Sequence, residues 1–384
     1  MTHKLKQVGT ASAKRRRLAV GTICGIAIAA FAFGAVLSDR RSSPPPSAAS
    51  QLSLPQLSGE RLVVGFPGTK LPGALRATIR RGGVAGVILF AENLPSRAVA
   101  RSLVDEIESI RRPPGLRDPL LVMVDQEGGL VKRLGGPPTA SAAQMGAAGA
   151  AFSREQGRAT AANLRGAGIN VDLAPVLDLA RPGGTIAETE RGFASTAAAV
   201  EATALPFAEG LGEGGVAATA KHFPGLGAAA ENTDFAVQHI DLPRSTLRSV
   251  DERPYRRFIA AGGELVMLST AIYPALSARP AAFARPIATG ELRRRLGFDG
   301  VSITDALESV AVREFGGPAA AALAATAAGT DLLLFTDYRA GAIAGRALLR
   351  QLRRAPRGRA AFEASVSRVL RLRRALPASA ARRR

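Results

Sequence analysis

The stretch LLVMVDQEGG, residues 120–129, sets five apolar residues in a row and then places Asp125 at their end, ahead of the pair Gly128-Gly129. A short apolar run bounded by turn residues reads as a buried strand, and here a carboxylate stands at its carboxyl end. The same unit recurs along the chain. Strand-like runs fall at 62–67 (LVVGFP), 86–90, 120–125, 170–177, 216–222, 264–270, 300–305 and 331–336. Between them lie amphipathic, helix-like stretches at 97–112, 153–166, 197–213, 245–261 and 318–328. Eight strands separated by helices predict an α/β fold of the single (β/α)8 TIM-type barrel kind; a doubly wound open sheet is the alternative. No solenoid-type repeat interrupts this alternation.

The composition agrees with a large folded core. The chain has 384 residues, 47% hydrophobic and 21% charged, which excludes a mainly disordered protein. Its one cysteine, Cys24, permits no intramolecular disulfide. The net charge of +20 invites a nucleic-acid reading until its location is examined. Residues 1–17 carry six Lys and Arg with no acid, and residues 339–384 carry 14 Arg against Glu363 alone, which leaves +1 for residues 18–338. The excess belongs to two ends, so solvated basic tails are expected. With three Tyr and no Trp, the chain offers few platforms for stacking bases, and a nucleic-acid partner is disfavoured.

The amino end has its own logic. LAVGTICGIAIAAFAFGAVL, residues 18–37, is uncharged and follows Lys14-Arg15-Arg16-Arg17. As a helix it is long enough to cross a bilayer core of roughly 30 Å, and the basic run before it places the N-terminus in the cytoplasm and the rest outside. A membrane anchor is therefore expected, with secretion after cleavage near Ala30-Phe31-Ala32 as the alternative. The resulting plan is a basic cytoplasmic tail (1–17), a transmembrane segment (18–37), a Ser/Pro-rich spacer (38–57), the barrel (58–376) and a basic tail (377–384).

In a barrel, chemistry gathers where strands end, because rigid backbone there delivers side chains to one open mouth. Polar residues stand at those places: Asp125 after the third strand, Asp172 and Asp178 in the fourth, Lys221 and His222 at the end of the fifth, and Asp305 at the end of the seventh. Any one of them alone has a structural explanation, as a buried loop-capping Asp or a satisfied core His. Four strand ends carrying such groups point to a site.

Taken together, VDQEGG (124–129), GINVDLAPVLDL (168–179), ERGF (190–193), KHFPG (221–225), GFDGVSITDAL (297–307) and AGTDLLLF (328–335) resemble glycoside hydrolase family 3, in the single-domain form of bacterial β-N-acetylglucosaminidases. The resemblance covers about Leu62 to Leu376 and implies the barrel. It implies that Asp305 is the catalytic nucleophile of a retaining hydrolase, forming a covalent glycosyl intermediate. It implies that Asp125, Arg191, Lys221 and His222 bind sugar hydroxyls, through charge-assisted hydrogen bonds that orient the ring. No metal or organic cofactor is required, and the partner is a carbohydrate, a cell-wall glycan or its fragment.

The sequence departs from that family in one place that matters. A retaining hydrolase needs a group that protonates the leaving oxygen and later activates water. In the N-acetylglucosaminidases it is a His held by an Asp two residues earlier, after KHFPG. Here Leu226 replaces the first His of that loop, Asn232 the dyad Asp and Asp234 the dyad His. The remaining histidines are His3, in the basic tail, His222 and His239. Relatives that take the acid from a following domain are far longer than this chain. Three readings stay open: Asp234 or Glu231 acts as a carboxylic acid/base with a raised pKa, His239 swings in, or turnover is lost and glycan binding is retained. A second departure places Thr270 where relatives often carry a His near the mouth. Near the C-terminus, Val366, Val369, Leu370 and Leu372 in SVSRVLRLRRAL predict a docked helix with a solvated basic face.

Overall fold

A computed structural model describes residues 47–355 and 358–377. The expected eight strands are present: β1 (Leu62–Val64), β2 (Gly86–Leu89), β3 (Leu121–Val124), β4 (Val171–Asp172), β5 (Ala217–Phe223), β6 (Leu265–Leu268), β7 (Val301–Thr304) and β8 (Leu333–Phe335). They pair in parallel in the order β7-β6-β5-β4-β3-β2-β1-β8. A bridge from Ile303 in β7 to Leu332 before β8 joins the two ends of that order, so the sheet curls into a barrel and the open-sheet alternative is set aside.

Side chains alternate across each strand. Leu121 and Met123 of β3 belong to one apolar cluster with Val63, Ile88, Val171, Leu265, Met267, Val301, Ile303 and Leu334, which fills the barrel interior. Val122 and Val124 belong to the other, between sheet and helices. Both faces are covered, which is why each strand reads as an unbroken apolar run. Burying each of these side chains contributes roughly 1.5–3 kcal/mol.

Three sequence expectations change. The fourth strand, expected over 170–177, keeps its ladder for Val171–Asp172, because Pro175 has no N–H to donate; a bridge from Val176 to Lys221 then carries the segment along β5. The helix expected over 245–261 divides into Arg244–Thr246, a wide turn at Leu247–Asp251 and a helix at Arg253–Ala260, with Pro254 in the first turn of the last, where its missing N–H costs nothing. The spacer expected over 38–57 is helical in its second half: Ala48–Gln51 forms a 3-10 turn and Leu54–Gly59 a helix. Ser53 and Gln56 cap that helix reciprocally, and Ala49, Leu52 and Leu57 are buried. Among the described residues no helix is long and apolar enough to cross a membrane; the stretch 18–37, the tail 1–17 and residues 378–384 lie outside them.

At the end of the barrel where the strands begin, the C-terminal helix Arg359–Ala375 docks through Val369 and Leu372 onto the interior cluster. Its basic face is not wholly solvated as the sequence suggested. Arg373 is fully buried: its Nη1 donates to Glu60 Oε2 at 2.6 Å and its Nε to the Pro119 carbonyl at 2.7 Å. Arg112 Nη2 reaches the other oxygen of Glu60 at 2.6 Å. Beside them, buried Asp331 binds Arg368 at 2.7 Å and also Arg293. Burial pushes the Arg61 guanidinium down to about 10, although the Asp331 charge opposes the shift.

Candidate active site

The opposite end of the barrel, where the strands finish, opens into a cavity of about 320 Å³. Asp125, Arg191, Lys221, His222, Asp234 and Asp305 all line it, so the fold brings these six of the residues named from the sequence together. Asp125 follows β3 and Asp305 follows β7; Lys221 and His222 are among the last three residues of β5.

Local sequence explains the placement. After β3 the chain doubles back as a hairpin, Gln126–Gly128 against Val131–Lys132. Gly128 sits at φ +99°, and a Cβ there would lie 2.2 Å from the Ala140 carbonyl oxygen, so only glycine fits. The Gln126 side chain pins the hairpin, donating to Leu134 O at 2.7 Å and Pro137 O at 2.9 Å and accepting from the Arg133 and Leu134 amides. Buried Asp172 accepts from Gln126 N at 3.0 Å, which ties the hairpin to β4.

The cations of the site are held by a residue the sequence reading passed over. Glu127 accepts from Arg191 Nε and Nη2, both at 2.8 Å, and lies 2.7 Å from Lys221 Nζ. Lys221 Nζ also donates to Asp125 at 2.7 Å. Burial alone would raise the Glu127 carboxyl, but Arg191 and Lys221 outweigh it and hold the group well below the usual carboxylate range. The same pairing, against the cost of burial, keeps Lys221 and Arg191 above their ordinary values. The signal was present: residues 125 and 127 fall on one side of an extended chain.

Asp178, read from the sequence only as a polar residue of the fourth strand, has a similar supporting role. Its carboxylate takes the His222 ring at Nδ1, 2.7 Å away, together with the backbone amides of His222 and Leu226. A carboxylate that only accepts leaves the proton on Nδ1, so Nε2 is the ring's remaining polar atom.

Asp305 is half-buried, and its Oδ1 accepts from Ala306 N at 2.7 Å. Asp234 stands at the rim, on the loop after β5. Loss of hydration there raises its carboxyl above the ordinary value and the Asp305 charge adds to the shift, while His222 and Arg191 partly oppose it. Asn232, in the place of the family's Asp, meets Asp234 in two ways: its side chain hydrogen-bonds the Asp234 carboxyl and adds to the groups opposing the shift. Its Oδ1 accepts the Asp234 backbone amide at 2.9 Å, closing a local turn. Val310 N donates to the Asp234 carbonyl at 3.3 Å, tethering that turn to the segment after Asp305.

The other candidates for an acid/base stay outside. Glu231 is exposed and does not line the cavity, and His239 is exposed with its backbone bridged to Ile272. Thr270 is buried and does not line the cavity, and its hydroxyl is unpartnered among the described residues. Glu308 is a further lining carboxylate that the sequence reading missed. It accepts from Thr336 N at 3.1 Å and Asp337 N at 3.3 Å, and burial raises its carboxyl in spite of those donors. Among the described residues no group of three or more His, Cys, Asp or Glu is arranged to hold a metal ion.

A (β/α)8 barrel with carboxylates and cations converging on a sugar-sized cavity at the strands' carboxyl ends defines the class as a carbohydrate-active barrel. Residues 50–372 match the glycosyl hydrolase family 3 N terminal domain, and the chain belongs to that family. It is 39% identical over 285 residues to an uncharacterized secreted glycosyl hydrolase of Arthroderma benhamiae, covering 72% of this chain and 80% of the relative. It is 36% identical to a β-hexosaminidase of Alkalilimnicola ehrlichii, with the same coverage. Among solved structures it resembles a family 3 β-N-acetylglucosaminidase of Paenibacillus (TM-score 0.80, 34% identity, 86% of this chain and 64% of that one). It also resembles a β-N-acetylhexosaminidase of Beutenbergia cavernae (TM-score 0.79, 31% identity, 84% and 98%).

Proposed function

We propose that the protein is a retaining glycosidase that removes a terminal β-linked N-acetylglucosamine, or a closely related sugar, from glycans outside the cytoplasm, cell-wall fragments among them. The observation that carries this reading is that Asp305 shares its cavity with a rim carboxyl, Asp234, whose pKa is raised by partial loss of hydration and by the Asp305 charge. Two carboxyl groups in one cavity, one to attack C1 and one raised toward holding a proton, are what a double displacement requires.

The steps follow from the donors left over. Two contacts of Lys221 and two of Arg191 are taken by Glu127 and Asp125, which leaves N–H groups on both for sugar hydroxyls, while Asp125 accepts from them. A carboxylate oxygen of Asp305 attacks C1 as the C1–O bond breaks, and the leaving oxygen takes the proton of Asp234. Water then adds to C1, gives its proton to Asp234, and releases Asp305 with configuration retained. Similarity to named hexosaminidases supports the choice of sugar.

A chromogenic aryl β-N-acetylglucosaminide tests the proposal. Turnover that disappears in Asp305→Asn is expected, and turnover that survives there sinks the assignment. With Asp234→Ala, added azide should restore turnover of the activated substrate as the β-glycosyl azide, because azide replaces the water that has lost its base. A second reading, glycan binding without turnover, is favoured by one observation: Asn232 and Asp234 stand where the family's dyad Asp and His would be. Saccharide binding with silence across activated glycosides would establish it.

The apolar segment 18–37 and its basic flank further support export with a membrane tether. Retention of the barrel in the membrane pellet after an alkaline wash is the expected result; its release intact would favour the cleaved form.

A further inference from the structure

Exposed charge is sorted by sign at one end of the barrel and mixed at the other. Around the mouth, exposed Glu92, Glu231 and Asp234 stand on the same set of loops as exposed Lys70, Arg244 and Arg339. Where the strands begin, a different pattern holds. The helix Gly73–Arg80 leads toward β2 through exposed Arg80 and Arg81, and the connection into β3 carries exposed Arg111 and Arg117. The helix Tyr338–Arg354, which follows β8, ends on exposed Arg353 and Arg354. The three segments follow β1, β2 and β8, which are neighbours in the sheet, so these six arginines come from one contiguous sector. Acids at these helix ends do not offset them: Glu60 and Glu108 are buried, and Asp118 is half-buried and accepts from Arg374 Nε at 3.3 Å. The described chain enters in the same sector. Leu52 Cδ2 lies 3.7 Å from the position a Cβ would take on Gly115, and the Ser50 carbonyl accepts from Arg359 Nη2 at 3.2 Å. Residues 38–46 join this point to the uncharged apolar segment 18–37, and that length of chain can span at most about 35 Å.

Resting on the reading of residues 18–37 as an export tether, we infer that this basic sector is a docking surface for an anionic phospholipid bilayer, seated so that the sugar-binding mouth faces away from the membrane. The recognition is charge complementarity at short range. Guanidinium groups keep their charge at physiological pH and bind phosphate oxygens in pairs. Phosphates repeat across a bilayer surface, so a rigid barrel engages several at once. Each basic side chain held near an anionic surface strengthens attachment roughly fivefold, and the attraction fades within about 8 Å at physiological salt. A tether alone brings the barrel near the membrane but leaves it free to turn; a basic sector at one end selects one orientation. Docking there leaves Asp305 and Asp234, at the opposite end, open to glycans on the far side.

The test places a donor dye at either end of the barrel in the full chain. Ser109→Cys labels the basic sector and Thr69→Cys the mouth, both exposed positions, each in a Cys24→Ser background. The protein is reconstituted in phosphatidylcholine vesicles that carry an acceptor lipid. Adding about 30% phosphatidylglycerol should raise energy transfer from position 109 about twofold or more, leave position 69 no higher, and lose its effect in about 0.5 M salt. Arg80→Glu, Arg81→Glu, Arg353→Glu and Arg354→Glu together should abolish the rise while the melting temperature stays within about 3 °C. Transfer indifferent to lipid charge in the native protein overturns the inference, as does an equal rise at both positions or a rise that survives the four substitutions. So does binding of the full chain to soluble polyphosphate under conditions where the vesicles give no rise, since the partner is then a polymer. An alkaline wash separates this inference from the tether. A chain stripped by the wash that showed salt-sensitive transfer beforehand supports the docking surface and refutes the anchor; a chain that resists the wash, with transfer indifferent to lipid charge, does the reverse.

Discussion

The two ends of the barrel treat buried charge in opposite ways. Where the strands begin, Glu60 and Asp331 are each fully buried and each is closed off by two arginines contributed by distant parts of the chain. Where the strands finish, Lys221 and Arg191 are pinned by Glu127, but Asp305 takes a backbone N–H from Ala306 and Asp234 stands at a solvent-facing rim. An ion pair that is complete holds elements together and offers a ligand nothing. One left incomplete at a rigid strand end costs stability locally and leaves acceptors and donors aimed into a cavity. The same residue types thus serve as a clasp at one end and as chemistry at the other.

Substitutions at the two ends should separate along that line. Asp305→Asn should lower kcat by roughly 10⁴-fold or more while leaving the melting temperature within about 2 °C; a collapse of stability there would erase the contrast. Glu60→Ala at the other end strands Arg112 and Arg373 as buried charges and should cost about 3–5 kcal/mol in denaturant unfolding, with KM of the folded fraction changed less than twofold.

Asp234→Asn should slow cleavage of an alkyl glycoside by about 10²-fold or more, and that of a dinitrophenyl glycoside far less, since the latter needs little protonation. In the native protein the acid must carry its proton in the first step, so the rate should fall as pH rises through the raised Asp234 pKa. That alkaline limb should be absent from the Asp234→Asn profile, and an unchanged limb would remove Asp234 from the mechanism.

Glu127→Gln sharpens the comparison, because Glu127 is a closed clasp inside the mouth. Its folded carboxyl is depressed relative to the unfolded chain, so its contribution to stability is present above about pH 4–5 and is lost as pH falls below that range. The variant should be less stable by about 1–3 kcal/mol near neutrality, and the gap should narrow in acid.

Much of this architecture was legible in the order of residues. The apolar runs that became β1 to β8 and the helical stretches between them are local patterns, and local periodicity survives folding because backbone geometry imposes it. The strand-end residues Asp125, Lys221, His222 and Asp305 were legible for the same reason, since a strand delivers its last side chains to a predictable edge. Glu127 and Asp178 were harder to read. Their importance lies in what they bind, Arg191 64 residues away and His222 44 residues away, and no local pattern encodes that separation.

By itself the sequence determined the alternation of strands and helices, the kinds of side chain at the barrel's mouth, and the absence of the family's acid/base dyad. Only the tertiary structure decided that residues 48–59 fold onto the barrel, that Arg373 is buried against Glu60 rather than solvated, and that Asp234, not Glu231 or His239, shares the cavity with Asp305. The physical reason is common to all three. Burial and charge pairing are properties of neighbours in space, and closing an eight-stranded barrel brings together residues that lie up to 313 positions apart along the chain.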